Sequence, residues 1–247
     1  MTRSAVSAEV LDTLRRYDSP TVSNAIELFG VRPRNLGYFD SNIHALFPDL
    51  PPVVGFATTV SYCASCPPDE KSSTSFLAHI DALGAIPGPR IVVFEDVDSP
   101  PTAATFGEIM CAVYKRFGCV GIITSGAARD LHAIRRLEFP AFASAVSVSH
   151  AYGHFTSIHQ PVRLGGITVS PGDVLHADAN GVVVVPAEIA ADVAEACSKY
   201  VAAEKIVLDY LNRTEVDPEG LQQAFKNMSN ALRPFRSSSA KVSGATR

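Results

Sequence analysis

Residues Val120 to Asp130, Val-Gly-Ile-Ile-Thr-Ser-Gly-Ala-Ala-Arg-Asp, constrain this chain more than any other stretch. The β-branched apolar run Val120 to Thr124 reads as a buried strand, and the small residues from Ser125 to Ala128 read as a turn leading into a helix. Arg129 and Asp130 stand side by side where that helix begins. A guanidinium fork beside a carboxylate, next to free backbone N–H groups, can hold a small carboxylate and a metal cation together.

The segments before it place this strand in a sheet. Val53 to Tyr62 has strand composition, with Gly55 allowing close approach of another element. Ser72 to Leu83 puts Phe76, Leu77, Ile80 and Leu83 on one helical stripe, and Pro87-Gly88-Pro89 ends it before a strand over Arg90 to Val97. Glu108 to Phe117 shows Ile109, Val113 and Phe117 at helical spacing. Strand, helix and strand predict a right-handed βαβ crossover with parallel strands. In such sheets the loops beyond the carboxyl ends gather at one edge, so Gly107-Glu108-Ile109-Met110 and Ser125 to Asp130 are expected to share one end.

Around this unit the pattern changes. Residues 7 to 17 and a second helix, with Ser19 as N-cap, Pro20 in the first turn and Gly30 as stop, read as a helical pair covering the core. Val31 to Pro52 reads as a long loop. Strands are expected over Ala141 to Val146, Val162 to Ser170, Val174 to Asp178 and Gly181 to Val185, with Asp173 and Asp178 in turn roles. This run predicts an α/β chain of layered α/β/β, swivelling type, with a mixed sheet and flanking helices. Ala187 to about Leu211 reads as one long helix. Residues 1–211 are thus expected to form a single domain, and the polar stretch 212–247 a loosely ordered tail.

Composition narrows the function classes. The net charge of −4 and the absence of Trp give no basic surplus for a nucleic-acid partner. No segment approaches the roughly 18 uninterrupted apolar residues of a membrane span, and Met1 to Val6 lacks the apolar core of a secretory signal. A soluble, cytoplasmic protein acting on small molecules is expected. Five cysteines argue for reduced thiols, with Cys63-x-x-Cys66 read as incidental because Pro67-Pro68 follows at once. His150, His154 and His159 invite a metal reading, but no H-E-x-x-H pattern or cysteine partner accompanies them, so solvated or hydrogen-bonded loop histidines are expected.

The order of segments then becomes recognisable. G-E-I-M at 107–110, G-x-x-R-D at 126–130, Phe139-Pro140-Ala141-Phe142-Ala143, and P-G-D-V followed by A-D-x-x-G-V-V-V-V-P resemble the family of class II 4-hydroxy-4-methyl-2-oxoglutarate aldolases and the regulator of ribonuclease E activity A (RraA-like). The resemblance runs from Asp18 to Leu211. It implies that Arg129 binds the carboxylate of a pyruvate moiety and that Asp130 anchors a divalent metal, Mg²⁺ or Mn²⁺, partly through waters. It further implies that Gly107, Glu108, Ile109 and Met110 offer backbone N–H groups to the substrate, and that Glu108 moves a proton through water. An acidic residue from a neighbouring subunit, matched to Glu204, would complete a site between subunits of a homotrimer or a hexamer of two stacked trimers. One position departs from the pattern: Ser125 stands where many of these aldolases have aspartate, which bears on substrate identity more than on the metal site.

The resemblance implies a metal-dependent lyase that cleaves 4-hydroxy-4-methyl-2-oxoglutarate or a related 4-hydroxy-2-oxo acid to pyruvate, with oxaloacetate decarboxylation as a second activity. The same enolate forms in both reactions. Other readings stay open at this level. From the residues alone Asp130 also reads as a helix cap, Arg129 as a strut paired with Asp130 or Glu108, and Glu108 as a helix-dipole residue. A non-catalytic relative that docks to a partner such as a ribonuclease is the rival from another class, and a lyase for some other 2-oxo or hydroxy acid is a third.

Overall fold

The computed structural model describes residues 6–69 and 74–238. Two short helices open the chain, α1 (Ala8–Leu14) and α2 (Ser19–Phe29). Asp18, not Ser19, is the N-cap of α2 and accepts the Thr21 N–H. Ser19 is drawn elsewhere because its N–H and hydroxyl both bond the buried Asp178 carboxylate, at 2.7 and 2.5 Å.

The strands follow as β1 (His44–Ala45), β2 (Val53–Cys63), β3 (Arg90–Asp96), β4 (Ala104–Phe106), β5 (Cys119–Thr124), β6 (Ala127–Ala128), β7 (Ala141–Ala143) and β8 (Ala145–Val146). Interleaved with them are α3 (Phe76–Ala82), α4 (Glu108–Arg116) and α5 (Leu131–Arg136). Then come β9 (His154–Ile158), β10 (Val162–Leu164), β11 (Ile167–Val169), β12 (Val174–Asp178), β13 (Gly181–Val185), and the helices α6 (Ala190–Leu211), α7 (Pro218–Ala231) and α8 (Arg233–Ser238).

The main sheet runs β1-β7-β5-β3-β2-β12-β13, with β9 also paired to β2. The pairs β2–β3, β3–β5 and β5–β7 are parallel, while β12 and β9 join β2 antiparallel. This is the mixed sheet expected from the change of pattern along the chain. β2 is buried along almost its whole length, as a strand covered on both faces must be. Alternation divides its neighbours: Val54 and Phe56 pack with α1, α2 and α6; Val60 and Tyr62 pack with α3 and α4; Val53 and Ala57 face the β10–β11 hairpin layer. One sheet face is thus covered by helices and the other by β structure, the α/β/β layering.

Several boundaries differ from expectation. Val162 to Ser170 is not one strand, because Gly165 and Gly166 both lie at positive φ and fold it into the hairpin β10–β11. Ala141 to Val146 divides between two sheets, β7 in the main sheet and β8 in a small three-stranded sheet with β4 and β6. Within the expected loop 147–160, His154 to Ile158 forms β9 along β2. The polar stretch after Asn212 is not a loose tail through Ser238. Asp217 caps α7 through the Gly220 N–H, Tyr210 binds Asp217, and Leu232 is 3% exposed in the core formed with α1, α2 and α6. A polar helix with a single apolar stripe has composition close to that of a disordered tail, and only the partner surface distinguishes them. Residues 239–247, and the expected helix start at Ser72, lie outside the described residues. Among the described residues no helix is long and apolar enough to cross a membrane.

Candidate active site

The small sheet assembles the site. Its parallel strands β4 and β6 pair Phe106 with Ala128, so the residues that follow, Gly107-Glu108 and Arg129-Asp130, leave the sheet side by side. The Arg129 N–H donates to the Phe106 carbonyl at 3.1 Å and locks that register. Asp130 then sits in the left-handed region, φ 57° and ψ 35°, which Asp tolerates better than most residues.

This backbone turn directs the carboxylate away from its own helix. α5 has no side-chain cap; instead Asp130 Oδ2 accepts the backbone N–H of Glu108 at 3.1 Å, at the start of α4. Arg129 Nε lies 3.6 Å from the same oxygen. The Arg129 and Asp130 side chains remain 37% and 42% exposed, so both are available to a ligand. Gly107 is the N-cap of α4 and offers no side chain. A Cβ at that position would overlap Asp130 Oδ2 and lie 3.0 Å from Arg129 Cγ and Nε, so only glycine leaves the pair in place. The cap and strut readings of Asp130 and Arg129 therefore both have a basis in the geometry, and both converge on one spot.

Three cavities meet there. Arg129 lines one of them, about 410 Å³, together with Gly107, Ile109 and Met110. Arg129 and Asp130 share a second with Val146 and Val148, and Asp130 shares a third with Glu108, His132 and Arg136. Glu108 lines the cavity it shares with Asp130 and not the one beside Gly107 and Met110. The N-terminal turn of α4 faces this junction, and the N–H groups of Ile109 and Met110 have no intrahelical acceptor in the first turn of a helix.

Residues that the sequence reading passed over support the site from below. Tyr62 is buried and donates to the Ala104 carbonyl at 2.9 Å; burial, with the charges of Asp96 and Asp98, pushes its phenol up to about 12. Asp96 ends β3 beside Ser125, whose hydroxyl accepts the Asp96 N–H at 2.9 Å. Burial pushes the Asp96 carboxyl up to about 6, although the Asp98 N–H and the Thr105 hydroxyl favour its charged form. Its Oδ2 is sealed from solvent with no partner of good geometry among the described residues. An acidic residue at the end of a predicted strand was the available signal for Asp96; nothing marked Tyr62 or Thr105.

Other expected residues fall elsewhere. Glu204 lies on α6, where burial and the neighbouring Asp18 charge raise its carboxyl. It lines none of the three cavities within one chain. His150 and His154 bond the carbonyls of Ala151 and Tyr152, and His159 bonds Thr58, as hydrogen-bonded histidines. Cys63 and Cys66 are free thiols 3.8 Å apart.

A model of the RraA-like family, described as Aldolase/RraA, matches residues 8–184. The chain belongs to the RraA-like family. It is 29% identical over 186 residues to a protein of Halalkalibacterium halodurans named "Putative 4-hydroxy-4-methyl-2-oxoglutarate aldolase", covering 74% of this chain and 76% of that one. It is 25% identical over 179 residues to protein DlpA of Legionella pneumophila, covering 72% of this chain but only 27% of that much longer relative. The RraA-like fold is seen directly in Streptomyces coelicolor RraAS2, an unusual member of the RNase ES inhibitor RraA protein family, with a TM-score of 0.67 at 24% identity over 82% of this chain and 96% of that one. Gly107, Glu108, Arg129 and Asp130 lie within the span matched to the RraA-like family.

Among the described residues no cluster of three or more His, Cys, Asp or Glu forms a protein cage. Asp130 gives one oxygen to Glu108 N–H and keeps its other oxygen, with Glu108 lining the same cavity. A single carboxylate with open space around it suits a hard cation that keeps most of its waters, as Mg²⁺ does.

Proposed function

We propose that this chain is a divalent-metal-dependent carbon–carbon lyase that cleaves 4-hydroxy-4-methyl-2-oxoglutarate, or a related 4-hydroxy-2-oxo acid, to pyruvate, with oxaloacetate decarboxylation as a side activity. The observation that carries the reading is the convergence of Arg129 and the first turn of α4 on Asp130 Oδ2, beside an open cavity. The names of aldolase relatives support the same class.

The Arg129 guanidinium would take the substrate carboxylate through two parallel N–H bonds. The N–H groups of Ile109 and Met110 would orient the 2-oxo oxygen, with the positive end of α4 favouring charge there. Asp130 would hold Mg²⁺ or Mn²⁺, and the ion when bound would supply positive charge for the enolate oxygen. Glu108, which lines a cavity with Asp130, would accept the C4 hydroxyl proton through a water. Placing Glu204 of a neighbouring subunit at this site, in a homotrimer or hexamer, belongs to the same proposal.

The test is pyruvate release from 4-hydroxy-4-methyl-2-oxoglutarate and from oxaloacetate, with Mg²⁺ or with chelator, by wild type and Arg129→Ala. Metal-dependent release lost in the variant is the expected result. Folded, metal-supplied protein that releases pyruvate from neither of these nor from another 4-hydroxy-2-oxo acid would overturn the lyase reading and put a docking role first.

A further inference from the structure

The cavity beside Arg129 is built for more than pyruvate. Its 410 Å³ falls in the range of pockets for drug-sized ligands, about 300–1,000 Å³, and a three-carbon acid at the Arg129 end would fill only part of it. Apolar and aromatic side chains form much of the remaining wall, Phe76, Phe106, Met110, Phe155 and the ring of Tyr62, beside the hydroxyls of Thr74, Ser75 and Thr105. These rings brace one another edge to face. Phe76 meets Tyr114 at 5.3 Å and Phe155 at 6.2 Å, and Phe155 meets Tyr62 at 6.5 Å. The wall is therefore a preformed surface for a flat apolar group.

The polar groups in the wall do not suit a second carboxylate. Arg129 is the one fixed cation among the described lining residues, and the first carboxylate occupies it. His150 and His154 each place Nδ1 2.9 Å from a backbone carbonyl. A carbonyl only accepts, so Nδ1 carries the hydrogen in each ring. A second carboxylate carried into this cavity would find no second fixed cation among the described lining residues.

Resting on the lyase reading above, we propose that the preferred substrate is a 4-hydroxy-2-oxo acid bearing an aromatic ring at C4, with the ring seated between Phe76, Met110 and Phe155. In the cleavage the C4 hydroxyl gives up its proton, the C3–C4 bond breaks, and its electron pair stays on C3 as the pyruvate enolate. C4 departs as an aromatic aldehyde, and C3 takes a proton from water to give pyruvate. No oxidant or reductant is needed.

The experiment compares kcat/KM for Mg²⁺-dependent pyruvate release from 4-hydroxy-2-oxo-4-phenylbutanoate and from 4-hydroxy-4-methyl-2-oxoglutarate, with oxaloacetate as a third substrate. The phenyl substrate is expected to lead by about tenfold or more, as burial of a ring against exclusion of an unpaired carboxylate requires. In Met110→Arg the ratio of the two substrates should move toward the dicarboxylate by about tenfold or more, because a cation then enters the cavity. That ratio is read within one protein, so a general loss of activity does not mask it. A dicarboxylate preference in wild type, turnover of oxaloacetate alone, or an unmoved ratio in Met110→Arg would overturn the aromatic assignment while leaving the lyase in place. Failure with all three substrates would overturn both.

Discussion

Asp130 Oδ2 accepts the Glu108 backbone N–H at 3.1 Å, so the carboxylate that opens α5 in sequence closes the N-terminus of α4 in space. Structural and chemical roles then share one side chain, and two substitutions separate them. Asp130→Asn keeps an oxygen for the Glu108 N–H and removes the charge, so its stability should stay within about 0.5 kcal/mol of wild type. Asp130→Ala also loses the cap and should cost about 0.5–2 kcal/mol. Both should lose any Mg²⁺-dependent rise in Tm measured with pyruvate present. If Asp130→Asn keeps that rise, the residue is a cap only.

Gly107 is in extended backbone, φ −146°, which any residue can adopt, so its requirement comes from contact rather than strain. Gly107→Ala should push Arg129 and Asp130 aside and lower kcat/KM by about a hundredfold, the scale of a 1 Å misplacement. Both displaced side chains are partly exposed, so the Tm should barely change. A large fall in Tm with normal activity in the surviving fraction would count against this.

Asp96 gives the stability a pH signature. Its folded pKa of about 6 lies above the usual carboxylate value because burial disfavours the charge, so the folded state binds its proton more tightly than the unfolded state. Stability from this group is fully present below about pH 4 and is lost as pH rises toward and through 6. Asp96→Asn mimics the protonated form. It should match wild type near pH 4 and exceed it by about 1–3 kcal/mol above pH 7, in denaturation curves taken across that range. Parallel curves for the two proteins would show that Asp96 does not titrate in this way.

Leu232 reports whether the C-terminal helices belong to the cooperative fold. It is 3% exposed against α1, α2 and α6, so Leu232→Ala should cost about 2–4 kcal/mol in urea unfolding. A change under about 0.5 kcal/mol would mean that α7 and α8 open independently.

Much of this molecule was written locally. The runs at Val53, Arg90, Val120, Val174 and Gly181 carry their strand character in β-branched, apolar composition, and the helix over Glu108 to Phe117 carries its own period. The motif at Gly126 to Asp130 and the G-E-I-M segment were visible because turn chemistry and residue type are properties of a few neighbouring residues. What needed the tertiary structure was every relationship set by a partner far along the chain. Asp18 displaced Ser19 as a cap because Asp178, 159 residues from Ser19, takes the serine. Strands of two or three residues such as β4, β6 and β8 have no pattern of their own and exist only through pairing, yet their register sets Gly107 beside Arg129. The helices after Asn212 look like a tail until their one apolar stripe meets α6, since burial is a property of two surfaces and a sequence shows one at a time.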